Sequence, residues 1–131
     1  MLNGVYLIIL AVLVFYIVVM VNCGRMRVRH NIVAPSTSGH PEFERAFRVQ
    51  MNTLEHLVPF LPAVLLCAHL TSAMIALGLG ATWLIGRIWY AVSYMGAAEK
   101  RGPGFMIAFV SLSMLILAAA YGAIGALLTS S

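Results

Sequence analysis

Three long stretches of the chain carry no charged side chain: residues 1–24, 56–86 and 102–131. Charge is scarce throughout. Of 131 residues, 62% are hydrophobic and 9% charged, against roughly 25% charged in an ordinary soluble domain. A chain so poor in polar residues cannot cover a soluble surface. That excludes a soluble enzyme, a disordered tail and a nucleic-acid-binding domain. A helix rises about 1.5 Å per residue, so about 20 apolar residues cross a hydrocarbon core of roughly 30 Å. Residues 1–24 are enough for one crossing. They read as a retained span and not a cleaved signal, because no basic segment precedes them and Arg25, Arg27 and Arg29 follow at once.

Residues 56–86 are too many for one span and too few for two. Helices that begin before this stretch and end after it resolve the mismatch. The expected spans are therefore 4–23, 43–69, 71–97 and 105–127, in one membrane domain covering residues 1–131. Helices are the spanning form expected here, because backbone groups in lipid must be satisfied within the segment. Short loops make successive helices antiparallel neighbours. The expected fold is all-α, an integral membrane four-helix bundle with up-down topology. Polar, proline-containing sequence at 34–41 and Gly102-Pro103-Gly104 mark two of the connections. Pro59 and Pro62 fall inside the second span and should bend it. Gly78, Gly80, Gly122 and Gly125 are expected to serve packing.

The net charge of +4 comes from eight Lys and Arg against four Glu. Arg25, Arg27, Arg29, Arg45 and Arg48 flank the first connection, and Lys100 and Arg101 the third. The second, near residues 70–81, has no charge. Basic loops stay cytoplasmic, which puts both termini outside. Cys23 and Cys67 form no CxxC, and His30, His40, His56 and His69 are scattered without ligand spacing. No metal is expected, and the thiols are read as buried and inert.

Polar residues inside the spans fall on two stripes. Arg45, Arg48, Asn52, Glu55 and His56 lie at offsets 0, 3, 7, 10 and 11 along the second helix. At about 100° per residue they share one face. Arg87, Tyr90 and Tyr94 lie at offsets 0, 3 and 7 along the third, and Arg101 at offset 14 would join them if the helix continued. On antiparallel neighbours the stripes converge at one depth. Such groups face a bundle interior or wet cavity and pair with each other or with a ligand. One reading is interhelical pairing, Arg48 with Glu55 or Arg87 with Glu55. The other is a ligand site. Guanidinium forks bind carboxylates bidentately, tyrosine hydroxyls donate, and Glu55 can hold an ammonium group. A small zwitterion with extra carboxylates fits the set.

The stretch Gly39-His40-Pro41-Glu42-Phe43-Glu44-Arg45-Ala46-Phe47-Arg48-Val49-Gln50-Met51-Asn52, with Glu55, resembles the signature of the membrane-associated proteins in eicosanoid and glutathione metabolism. A second motif, Arg87-Ile88-Trp89-Tyr90-Ala91-Val92-Ser93-Tyr94 followed by Arg101, stands in register with it. The resemblance covers essentially the whole chain. It implies a homotrimer with glutathione bound between subunits near the cytoplasmic face. Arg48, Asn52, Glu55, Tyr90 and Tyr94 would bind glutathione, and Gln50 would do so from the same or the neighbouring subunit. Arg27 would bind a glutathione carboxylate from the neighbouring subunit, with Arg25 and Arg29 as alternatives. Arg101 matches the arginine that activates the thiol. The chain departs from the family's leukotriene-forming members: His56, itself a candidate glutathione contact, stands where they have a glutathione-binding tyrosine, Thr53 replaces a cysteine, and Val28 a second catalytic arginine. A generalist glutathione transferase or peroxidase of a bacterial inner membrane fits better, with a hydrophobic electrophile or lipid hydroperoxide as second substrate.

A free thiol has a pKa of about 8.5, and only the thiolate is nucleophilic. An arginine keeps its charge throughout the physiological range, so Arg101 can stabilise the thiolate permanently. A depression of about two units, each worth about 1.36 kcal/mol, ionises most of the bound thiol at neutral pH. Two rival readings are a non-catalytic lipid-binding scaffold of the same fold and a small multidrug transporter. The transporter reading suffers from the absence of any acid in the first span.

Overall fold

The computed structural model describes residues 1–130 and is helical wherever it is regular. The order is α1 (Leu2–His30), α2 (Pro41–Leu70), α3 (Ala73–Gly96), a short 3-10 turn (Ala98–Lys100) and α4 (Gly102–Thr129). All four α-helices are long and apolar enough to cross a membrane. The protein is an all-α membrane four-helix bundle. The end that holds residues 31–40 and 97–101 is called the basic end below.

Local chemistry accounts for the boundaries. α1 runs past the expected crossing, through Arg25, Arg27 and Arg29. Arginine is a good helix former, and basic side chains in a last turn suit the negative pole of the helix. The helix stops at Asn31, which takes the left-handed conformation at φ 56° that Asn tolerates better than most residues. At the start of α2, His40 Nδ1 accepts from the Glu42 amide at 3.1 Å, and Glu44 Oε2 accepts from the Gly39 amide at 3.0 Å. Pro41 occupies the first turn, where its missing N–H costs nothing. Pro59 and Pro62 lie within a continuous α2. Ser72 caps α3, its Oγ accepting from the Ile75 amide at 3.2 Å.

The core lies mainly between α2, α3 and α4, with α1 laid against α2 and α3. Trp83 is fully buried and stacks on Phe60 with ring centres 3.9 Å apart. Cys23 and Cys67 are buried free thiols. Helix association in lipid gains little from the hydrophobic effect and depends on close van der Waals approach. One such close approach joins α3 and α4. A Cβ on Gly86 would stand 2.7 Å from the Ala108 nitrogen, and one on Gly104 would stand 2.8 Å from Tyr90 Cα. Of the four glycines expected to pack, Gly80 and Gly122 do so, while Gly78 and Gly125 face open space. Gly86 and Gly104, not among those four, pack as closely against backbone.

Candidate functional site

A cleft of about 570 Å³ opens toward the basic end. α2 contributes Arg48 and Asn52, one helical turn apart. α3 contributes Tyr90 and Tyr94 at the same spacing. Residues four apart stack on one helical face, so each helix presents a two-step polar ladder. The third wall is the α3–α4 connection and the first turn of α4, with Glu99, Arg101, Gly102, Phe105 and Met106.

Aromatic packing holds these walls. The Tyr90 and Tyr94 ring centres are 5.5 Å apart, and Phe105 stands 6.1 Å from Tyr90. His56 meets Phe105 edge-on at 5.4 Å. The close approach at Gly104 is what lets Phe105 reach Tyr90, because any side chain there would strike the Tyr90 backbone. Arg101 does not continue α3 as a helical face. It follows the 3-10 turn and donates from Nη1 to the Ala98 carbonyl at 2.8 Å. Its guanidinium still comes within 5.9 Å of the Tyr94 ring centre. The turn achieves by a different route the proximity that a continued helix would have produced.

Beneath the cleft, Arg87 is completely buried. Its Nη2 donates to Thr53 Oγ1 at 2.9 Å, and its guanidinium lies 4.4 Å from the Tyr90 ring centre. Neither pairing considered from sequence, Arg48 with Glu55 or Arg87 with Glu55, occurs among the described residues. The ion pairs formed are Arg29 with Glu42 at 3.7 Å and His30 with Glu42 at 2.7 Å, both at the α1–α2 connection.

Five of the residues singled out from sequence therefore line one cleft: Arg48, Asn52, Tyr90, Tyr94 and Arg101. Four others do not. Gln50 is half-buried and Glu55 exposed, and both lie off its wall. His56 sits behind Phe105. Arg27 holds the first connection, donating to the Ser36 carbonyl at 2.7 Å with its guanidinium 4.7 Å from the Phe43 ring centre. Sequence reasoning missed Glu99, Phe105 and Met106. Glu99 was legible only as a loop charge two residues from Arg101.

The cleft presents two guanidiniums, two phenols, an amide and one carboxylate. Asn52 Oδ1 is buried without a partner among the described residues. Asn52 itself lines a cleft rich in donors, which suits a ligand carrying carboxylates. No group of three or more potential metal ligands occurs among the described residues.

The profile of the MAPEG family matches residues 5–121. An uncharacterised protein of Synechocystis sp. is 46% identical over 104 residues, covering 79% of this chain and 76% of that one. Microsomal glutathione S-transferase 2 of Homo sapiens is 33% identical over 99 residues, covering 76% of this chain and 67% of its own. Leukotriene C4 synthase of Rattus norvegicus is 32% identical over 92 residues, covering 70% and 61%.

Proposed function

The chain belongs to the MAPEG family, and on that premise we propose that it is a membrane-bound glutathione transferase. One observation carries the reading. Arg48 and Asn52 of α2, Tyr90 and Tyr94 of α3, and Arg101 of the α3–α4 connection line a single cleft. Glutathione has two carboxylates, an ammonium and a thiol, and the guanidiniums and phenols of this wall suit its carboxylates and its thiolate. The names of two relatives, a microsomal glutathione S-transferase and a leukotriene C4 synthase, support the same class.

In this mechanism Arg48 clamps a carboxylate bidentately. Asn52 accepts from a ligand N–H, and Tyr90 and Tyr94 donate to its oxygens. Arg101 faces the sulfur and favours the thiolate by direct charge attraction, stronger where water is excluded. The thiolate then attacks an electrophilic carbon of a hydrophobic substrate. A C–S bond forms as the leaving group departs with its electron pair, or as the electron pair displaced within an unsaturated acceptor takes a proton. In a peroxidase reaction the thiolate attacks the outer oxygen of a lipid hydroperoxide and an alcohol leaves. A second glutathione then releases water and the glutathione disulfide.

The assembly proposed is a homotrimer of single four-span domains, residues 1–131. Gln50, Glu55, His56 and Arg27 lie off the cleft of their own chain, and a site between subunits would use them across the boundary. Both termini lie outside and the basic end faces the cytoplasm, in a bacterial inner membrane. The electrophile enters laterally from the lipid.

The test is the ultraviolet absorbance of purified protein titrated with glutathione near neutral pH. A saturable thiolate band, with conjugation of an aromatic electrophile, is the expected result. Absence of both across several electrophiles overturns the transferase and favours a lipid-binding scaffold of the same fold.

A further inference from the structure

We propose that the groove between α1 and α3 seats an anionic phospholipid, with one acyl chain along the groove and the phosphate at Asn22 and Arg25. The groove has a volume of about 670 Å³. Val14 and Val18 of α1 line one side, and Ile88 and Val92 of α3 the other. It shares no residue with the cleft that holds Arg48 and Tyr94, so the two can be occupied together.

Every lipid-facing helix surface is apolar, and apolarity alone selects no occupant. Length, polarity and charge select this one. The α1 wall runs from Ala11 to Asn22, about 16 Å at roughly 1.5 Å per residue. One leaflet of a hydrocarbon core of roughly 30 Å is about 15 Å deep. The groove therefore takes one acyl chain of one leaflet and stops near mid-membrane.

Among the described residues, Asn22 is the only polar side chain lining the groove, and it stands at the basic end. Its Nδ2 donates to Met95 Sδ at 3.9 Å. A thioether is a weak acceptor, and a phosphate oxygen is a stronger one. Arg25 is exposed, and its Nη2 donates to Asn22 Oδ1 at 3.0 Å. Arg25 makes no ion pair among the described residues, because the pairs at this end join Glu42 to Arg29 and His30. Arg45 Nε donates to the Met95 carbonyl at 3.2 Å, which holds a second guanidinium at the same end. No acid lines the groove among the described residues. An apolar slot one leaflet deep that ends in an amide and guanidiniums matches an acyl chain ending in a phosphate.

The test is native mass spectrometry of the full-length protein in detergent, titrated separately with phosphatidylglycerol and phosphatidylcholine of the same acyl chains. One tight phosphatidylglycerol per chain is expected, preferred by roughly fivefold, the scale of one basic side chain at an anionic membrane surface. Arg25→Gln should remove most of that preference. Arg29→Gln, at a residue paired with Glu42, should keep it. Val18→Trp should fill the groove and weaken both lipids. Arg25 and Val18 are exposed, so both variants should keep the wild-type thermal midpoint. Equal affinity for the two lipids in wild type, equal loss in Arg25→Gln and Arg29→Gln, or an adduct indifferent to Val18→Trp overturns the proposal. Dissociation of an oligomer by Val18→Trp also overturns it and makes the groove a contact between copies. Tighter binding of oleate than of phosphatidylglycerol overturns it in favour of a fatty acid.

Discussion

Arg87 Nη2 and Thr53 Oγ1 are 2.9 Å apart, joining α3 to α2 where both residues are fully buried. The Thr53 hydroxyl donates its own proton to the Val49 carbonyl at 2.7 Å, so its lone pairs face the guanidinium. Arg87 Nε and Nη1 have no partner among the described residues, which makes the Thr53 bond the principal one holding this charge. Because the same guanidinium lies against the Tyr90 ring, the pair supports the floor of the cleft.

Thr53→Val should remove the acceptor while keeping the shape. A buried donor left unsatisfied costs about 1–3 kcal/mol, more where it is charged. The expected outcome is a lower thermal midpoint in detergent and weaker glutathione binding, with Thr53→Ser close to wild type. A Thr53→Val protein as stable as wild type would show that Arg87 does not depend on this bond.

Arg101→Ala should leave glutathione affinity largely intact and suppress the thiolate. Without the cation, the bound thiol should titrate near its free value of about 8.5, and only a few per cent is then ionised at pH 7. The sign is specific. Wild-type turnover should already be near its plateau at neutral pH, and variant turnover should climb as pH rises toward 9. Pre-steady-state absorbance across pH reads this directly. A variant that retains the wild-type thiolate band would remove Arg101 from the chemistry.

Arg48→Ala should act on binding. Loss of a charge-assisted clamp worth about 1.5–3 kcal/mol weakens glutathione about 10- to 100-fold. The thiolate spectrum at saturation should be unchanged. Calorimetry and absorbance titration together separate this effect from that at Arg101.

Gly104→Ala should force α3 and α4 apart. The added Cβ would stand 2.8 Å from Tyr90 Cα and 2.9 Å from the Gly86 carbonyl oxygen, and neither backbone can yield without moving its helix. Overpacking of this kind costs about 1–3 kcal/mol. Glutathione affinity should fall with stability, because Tyr90 and Phe105 border the same contact. Gly125→Ala, with nothing within 4 Å of the added atom, should be neutral or slightly stabilising through helix propensity. Equal unfolding midpoints for both variants and wild type would refute the close-contact account.

The two polar stripes were legible because helical periodicity relates residues on one helix. Arg48 and Asn52, like Tyr90 and Tyr94, had to share a face. Arg48 and Asn52 reach the cleft, whereas Glu55 is exposed away from it and His56 sits behind Phe105. Spacing along one helix says nothing about how far its polar face extends past a neighbour. Glu99 was invisible as a site residue because its position depends on a three-residue turn, not on a period.

The sequence by itself determined that this chain crosses a membrane four times as helices. Uncharged stretches of that length leave backbone groups no other partners, and the basic clusters marked one end of the bundle. It also supplied the residue types of the cleft, and its two motifs pointed to the family. Only the tertiary structure decided which of those residues meet. In lipid, a helix face against a neighbour and a face against acyl chains are equally apolar, so hydrophobic pattern cannot set a helix's rotation about its axis. Close contact at Gly86 and Gly104 sets it for α3 and α4. That rotation, with the turn at Ala98–Lys100, brings Tyr90, Tyr94, Glu99 and Arg101 to one cleft.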